Sequence, residues 1–224
     1  MRPVDYRKFR LKSLNTPEFS HVKLLLFWPI FGLFFAFVER VGVSNVYTPI
    51  HIPLDDHIPF CEWFVIPYLF WFVFLIGMLV YTFFFEVPAF RKMMRFVICT
   101  YSVTMAIYIL FPNCQNLRPT AFPRDSILTR FMAWFYTFDT NTNVCPSLHV
   151  IGAVASLYAG WKSRRFGTRP WRIVFVVITV LISLSTVFLK QHSALDVFAA
   201  LPLCALGWWV AELRISGKKF AQAR

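Results

Sequence analysis

The chain has 224 residues, 58% of them hydrophobic and only 15% charged, with a formal net charge of +12. A soluble globular domain carries about 25% charged residues, and the apolar residues, 27 phenylalanines among them, are grouped into long blocks that a soluble core would not need. The basic residues lie between long apolar blocks rather than along one polar face, which argues against a nucleic-acid groove as the reason for the charge.

In chain order, residues 1–23 are basic and polar and read as an interfacial arm on a membrane surface. Six apolar stretches follow, at 24–41, 63–85, 96–111, 149–161, 172–189 and 194–213. A helix through lipid must satisfy its own backbone hydrogen bonds and needs about 20 residues to cross. The second, fifth and sixth stretches meet this length directly; the third and fourth must extend into their flanks. Pro29, Pro67 and Pro202 fall inside predicted helices, where neighbouring helices tolerate a kink. The first stretch is too long for a signal-peptide core and no small-residue cleavage site follows it. No internal repeat of the kind found in inverted-repeat transporters is visible. The expectation is an all-α, polytopic membrane protein with six transmembrane helices in one domain, 24–213, and a basic tail at 214–224.

The placement of Lys and Arg orients those helices. One set comprises the N-terminal arm, Arg91, Lys92 and Arg95 in the second connection, Lys162, Arg164, Arg165, Arg169 and Arg172 in the fourth, and the C-terminal tail. Against it stand only Arg40, Arg118, Arg124, Arg130 and Lys190. This alternation predicts both termini on the cytoplasmic side. The first external connection, about 42–62, holds His51, Asp55, Asp56 and His57, read as a solvated loop in preference to a metal site. His21 reads as interfacial. Five cysteines show no zinc-ligand spacing, and a Cys114–Cys145 disulfide is left open.

Three polar clusters interrupt the apolar pattern: Gln115-Asn116-Leu117-Arg118-Pro119, Asn143 to His149, and Lys190 to Asp196. The charge-derived topology puts all three at the same membrane face, although nothing in the charge count required it. His192 and Asp196 are four residues apart and share a face if the sixth helix starts there. A carboxylate beside an imidazole fixes its tautomer and stabilises its cation, so the free ring nitrogen can serve as nucleophile or base. His149 opens another helix and can supply a general acid. Ser147 precedes that helix start, where backbone N–H groups favour phosphate. Arg118 and Lys190 add positive charge for phosphoryl oxygens. Two histidines, one carboxylate and two cations suit phosphoryl transfer through a phosphohistidine. With no carboxylate cluster for a metal pair, neither metal nor other cofactor is expected. Asp139 is placed to orient Arg118 or His149.

These residues resemble the type 2 phosphatidic acid phosphatase superfamily, which includes vanadium haloperoxidases and bacterial acid phosphatases. Its motifs are Lys-x6-Arg-Pro, Pro-Ser-x-His and Ser-Arg-x5-His-x3-Asp. Arg118-Pro119 matches the end of the first. Pro146-Ser147-Leu148-His149 matches the second, with Leu148 where Gly is commonest. Ser185, His192 and Asp196 match the third with its spacing. The resemblance implies that His192 is the nucleophile, His149 the acid that protonates the leaving oxygen, and Asp196 the partner of His192, with Arg118 and the Ser147 region holding phosphate. Phe111 and Thr186 stand where the family has Lys and Arg, and Lys190 with Gln115 or Asn116 is expected to replace part of that charge. The pairing of Pro-Ser-Leu-His with Lys-Gln-His is similar to the branch of inositol phosphorylceramide synthase-like and sphingomyelin synthase-like proteins.

The resulting expectation is a membrane lipid phosphatase acting on a phosphate monoester or pyrophosphate at the extracytoplasmic face of a bacterial plasma membrane. Its partners are the lipid substrate and the bilayer, with no nucleic acid. The alternatives are a lipid phosphotransferase, in which an alcohol replaces water, and a non-catalytic relative.

Overall fold

The computed structural model describes residues 4–42 and 44–213, so the basic tail predicted at 214–224 lies outside the described residues. Eight α-helices are found among them: α1 Phe27–Arg40, α2 Pro53–His57, α3 Val65–Phe85, α4 Val87–Leu110, α5 Ile127–Phe138, α6 Leu148–Lys162, α7 Arg169–Phe188 and α8 Ala194–Glu212. Two short strands, β1 Thr48–Pro49 and β2 Asn113–Cys114, pair in parallel and tie the α1–α2 connection to the residues after α4.

Five helical segments are long and apolar enough to cross a membrane: Ser20–Arg40, Glu62–Phe85, Val87–Leu110, Arg169–Phe188 and Ala194–Glu212. The third apolar stretch does extend, and it does so through charge. Arg91, Lys92 and Arg95, expected in a connection, sit in the first turns of α4, which is separated from α3 only by Glu86. Pro88 near the start of α4 has no N–H to lose there, and the basic residues lie at a helix end where side chains reach water.

The fourth stretch does not extend. Helix α6 has 15 residues, about 22 Å at 1.5 Å per residue, against a hydrocarbon core of about 30 Å. Ser147 caps its start and Ser163 ends it. It is instead the centre of the bundle, in contact with α3, α4, α7 and α8. Its small residues Gly152, Ala153, Ala155, Ala159 and Gly160 are all buried. At Gly152 an added Cβ would come within 2.7 Å of the Tyr101 hydroxyl and 2.9 Å of Trp71 Nε1. Small side chains thus let the surrounding helices close in, as is usual where helices pack within lipid.

Two further regions differ from expectation. The long connection between α4 and α6 contains α5, capped by Ser126 and carrying exposed Ile127, Trp134 and Phe138 opposite buried Met132. The N-terminal arm does not merely lie on a surface. The Tyr6 hydroxyl donates to the Phe83 carbonyl at 2.6 Å, and His21, 1% exposed, packs on Phe83 and Phe90. All five cysteines are free thiols, Cys114 and Cys145 included.

Candidate functional site

At one end of α6 the chain brings together the start of that helix, the α7–α8 turn and the loop after α4. The turn is tight because both the Gln191 and His192 amides donate to the Thr186 carbonyl, each at 3.0 Å. Lys190 takes a left-handed φ of 53°, as does Asn143 in the loop before α6. They are the two positive-φ non-glycine residues among those described, and such positions are tolerated where surrounding contacts over-determine them.

His192 is 7% exposed. Its Nδ1 lies 3.0 Å from Asp196 Oδ2 and 3.0 Å from the Val144 carbonyl oxygen. Both neighbours are acceptors, so Nδ1 carries the proton and the lone pair is on Nε2. The Ser147 hydroxyl lies 3.4 Å from Nε2. Asp196 is fully buried; its Oδ2 also accepts the Ser193 amide at 3.1 Å, while its Oδ1 has no hydrogen-bond partner. The Ser147 amide donates to the Asp196 carbonyl at 3.2 Å, joining the starts of α6 and α8. The His149 ring faces the His192 ring edge-on at 5.6 Å between centroids. Tyr68 and Trp71 of α3 hold it at 4.6 Å and 4.5 Å. The two imidazoles are thus close enough to serve one small tetrahedral group.

Arg118 is held by oxygen atoms alone. It donates to the carbonyls of Tyr136, Asp139 and Thr140 and to Gln191 Oε1, at 2.7–3.1 Å. Its guanidinium also lies over the Tyr136 ring at 4.6 Å. The nearest carboxylate, Asp139, is 3.7 Å away. Burial lowers the Arg118 pKa, which Asp139 and the Tyr136 and Tyr68 hydroxyls partly offset, and burial raises that of Asp139 against the pull of Arg118. Arg118 thereby fastens the end of α5 to the residue beside His192, through backbone carbonyls and Gln191 rather than through the Asp139 carboxylate.

The remaining sequence candidates divide. Gln115 is buried, with Oε1 accepting the Leu117 amide at 2.6 Å. Asn116 is exposed and its Oδ1 accepts from Asn141 Nδ2 at 3.4 Å. Lys190 directs its ammonium to the Asp55 carbonyl oxygen at 2.8 Å, and burial lowers its pKa. Ser185 bonds the Ile182 carbonyl within its own helix. Among the described residues, the buried N–H donors of Gln115 Nε2, Arg118 Nε and Gln191 Nε2 have no partner, and neither has Nε1 of Trp71, the ring that packs on His149. Such donors cost free energy unless something accepts from them, and oxyanions accept readily. Burial and the neighbouring Asp196 push the Cys145 thiol up to about 12, so it is protonated at neutral pH.

Sequence reasoning missed several supports. Asp55 is not solvated: at 1% exposure its carboxylate accepts from Ser193 Oγ at 2.6 Å and the Ala194 amide at 2.7 Å, capping α8. His51 pairs with Asp56 instead, at 2.8 Å, and among the described residues no three His, Cys, Asp or Glu side chains converge as a metal site would require. Asn113 donates to the carbonyls of Phe111 and Cys145 and accepts the Val144 and Cys145 amides. Glu39, at the end of α1, accepts from Thr140 and Asn143. The local sequence carried no signal for Asn113. A carboxylate just before a helix end, as at Glu39, is unfavourable toward the helix dipole and was a readable hint of a partner elsewhere.

No family model matches the chain, no curated protein matches its sequence, and no solved structure matches its fold.

Proposed function

We propose that the chain is a membrane-embedded phosphatase of lipid phosphates, with the residue roles implied by its resemblance to the type 2 phosphatidic acid phosphatases. The observation that carries this reading is the His192 imidazole, held by Asp196 and the Val144 carbonyl through Nδ1, with Nε2 turned toward Ser147 and the His149 ring 5.6 Å away. In this reading the chain spans the bilayer six times with both termini cytoplasmic, α6 being the short interior span. The crowding of Lys and Arg at the opposite end of α6 supports an extracytoplasmic site.

The reaction begins with attack of His192 Nε2 on phosphorus. The P–N bond forms as the bond to the leaving oxygen breaks, and protonated His149 gives its proton to that oxygen. Asp196 stabilises the imidazolium that results. Water, activated by His149 now acting as base, then displaces the imidazole and releases phosphate. The first amides of α6, at Leu148 and His149, have no intrahelical acceptor, and with the unpartnered donors of Gln115, Arg118 and Gln191 they are suited to phosphoryl oxygens. Of the residues expected to replace the charges missing at Phe111 and Thr186, namely Lys190 with Gln115 or Asn116, Gln115 belongs to this donor set, while Lys190 bonds the Asp55 carbonyl and Asn116 bonds Asn141.

The test is phosphate release from phosphatidic acid, lysophosphatidic acid and a polyprenyl pyrophosphate by purified protein, with His192→Ala in parallel. Release by the wild type and none by the variant supports the reading; equal turnover by both overturns it. A new headgroup lipid formed from a phospholipid donor, without free phosphate, would assign the same histidines to transfer instead.

A further inference from the structure

The other end of α6 has a cavity of its own. It measures about 710 Å³ and lies between the N-terminal arm, the α3–α4 corner and the C-terminal end of α6. That volume is in the range of ligand sites, about 300–1,000 Å³. Five cations line it against two carboxylates, Glu18 and Glu86. The cations are held in different ways. Lys92 and Lys162 share one carboxylate, Glu212, which offsets one of their two charges. Arg91 and Arg95, four residues apart on one face of α4, bond only uncharged oxygens. Arg91 donates to the Pro17 carbonyl at 2.8 Å and the Ser20 hydroxyl at 2.9 Å; Arg95 donates to the carbonyls of Ala211 and Leu213 at 3.4 Å and 3.0 Å. Among the described residues no carboxylate lies within ion-pair distance of Arg91, Arg95 or Arg164.

The carboxylates are not their counter-ions. Glu86 accepts from the Tyr81 and Ser163 hydroxyls and the Arg164 and Arg165 amides, which commits it to closing the α6–α7 turn. Glu18 is exposed at the rim. Among the described residues, the guanidinium groups of Arg91, Arg95 and Arg164 therefore line the cavity with no carboxylate paired to them. Beside them the wall is apolar: Phe84 and Phe85, at the end of a helix long and apolar enough to span a bilayer, are 44% and 64% exposed. A phosphate oxygen can take the free N–H groups of Arg91 and Arg95 while an acyl chain lies along Phe84 and Phe85.

We infer that this cavity binds the headgroup of an anionic phospholipid, by a phosphate on Arg91, Arg95 and Arg164, with its tail on the α3 aromatics. The site is separate from the histidines at the opposite end of α6, and its occupancy is read by binding alone. Purified full-length protein is equilibrated in mixed micelles of phosphatidylcholine and phosphatidylglycerol, and retained lipid is counted by native mass spectrometry. Wild type retains phosphatidylglycerol over phosphatidylcholine. The variant R91Q/R95Q loses that preference by roughly tenfold to thirtyfold, on the scale of two juxtamembrane cations, while R91K/R95K keeps most of it. Equal preference in wild type and R91Q/R95Q overturns the inference, as does no preference in the wild type. Displacement of the lipid by free glycerol phosphate at equal concentration also overturns it, since the apolar wall would then contribute nothing. Should R91Q/R95Q fail to fold, Arg164→Gln, whose guanidinium bonds no described side chain, serves in its place with a loss of roughly threefold to fivefold.

Discussion

Helices α6 and α8 start side by side, joined by the bond from the Ser147 amide to the Asp196 carbonyl, yet their first turns are finished differently. That of α8 is closed from within the protein. Asp55 takes the Ala194 amide and the Ser193 hydroxyl, Asp196 takes the Ser193 amide, and the Ser193 hydroxyl takes the Leu195 amide. That of α6 has one long side-chain cap, Ser147 Oγ to the Val150 amide at 3.5 Å, and its first two amides are left to whatever enters the site. A buried carboxylate at one helix start has the same physical basis as a phosphate at the other, since the partial positive charge of a helix N-terminus favours an anion. Where the protein supplies the anion the helix start is closed; where it supplies none, beside two imidazoles and several unpartnered donors, the first amides of the helix are left without an acceptor.

The largest effects are expected where the open start meets the imidazoles. His192→Ala should reduce phosphate release by roughly 10⁴-fold or more and His149→Ala by roughly 10²- to 10⁴-fold, both in protein that still folds, with His192→Ala lowering the unfolding temperature because it strands Asp196 and the Val144 carbonyl. An active His192→Ala would break the comparison at once, because the open start would then serve no reaction. Closing the contrast from the other side, Asp55→Ala removes the internal anion of α8 and strands the Ser193 hydroxyl and Ala194 amide in a buried place. The expected cost is about 2 kcal/mol, seen as a lower unfolding temperature together with lost activity. Unchanged stability would show that α8 does not depend on its cap. Gly152→Ala places a methyl group against Tyr101 and Trp71; overpacking of this kind costs about 1–3 kcal/mol. Because Trp71 also holds the His149 ring, activity should fall further than stability alone explains, and matched losses would argue against that coupling.

The smallest effect belongs to the far end of α6. Glu212 bridges Lys92 and Lys162 and accepts from the Tyr158 hydroxyl. These side chains are about one-third exposed, so Glu212→Gln should cost about 0.5–1 kcal/mol after solvent screening. Phosphate release should be unaffected, since the histidines lie at the opposite end of the helix. A large loss of activity would mean that the two ends of α6 are energetically linked.

How much of this was readable beforehand differs by residue. The His192–Asp196 pair was legible because a spacing of four at a helix start needs no tertiary information to place both side chains together. His149 was legible only by its resemblance to a motif and by an orientation argument; the 5.6 Å approach of its ring depends on how α6 and α8 pack. Asp55 was misread because a carboxylate among polar neighbours looks solvated, and what buries it is a helix start 138 residues further along the chain. Helix α4 was cut short in the sequence because Arg91, Lys92 and Arg95 interrupt the hydropathy, although charges in the first turns of a helix remain within reach of water.

The amino-acid order alone determined that this chain forms long apolar helices, because in such segments the backbone has no partner but itself. It also set the local pair at His192 and Asp196, which one helical turn defines. Which apolar helix becomes the short, enclosed centre, which carboxylate caps which helix, and which donors are left over were decided only by tertiary packing. Each depends on contacts between segments far apart in the chain, and no local periodicity encodes them.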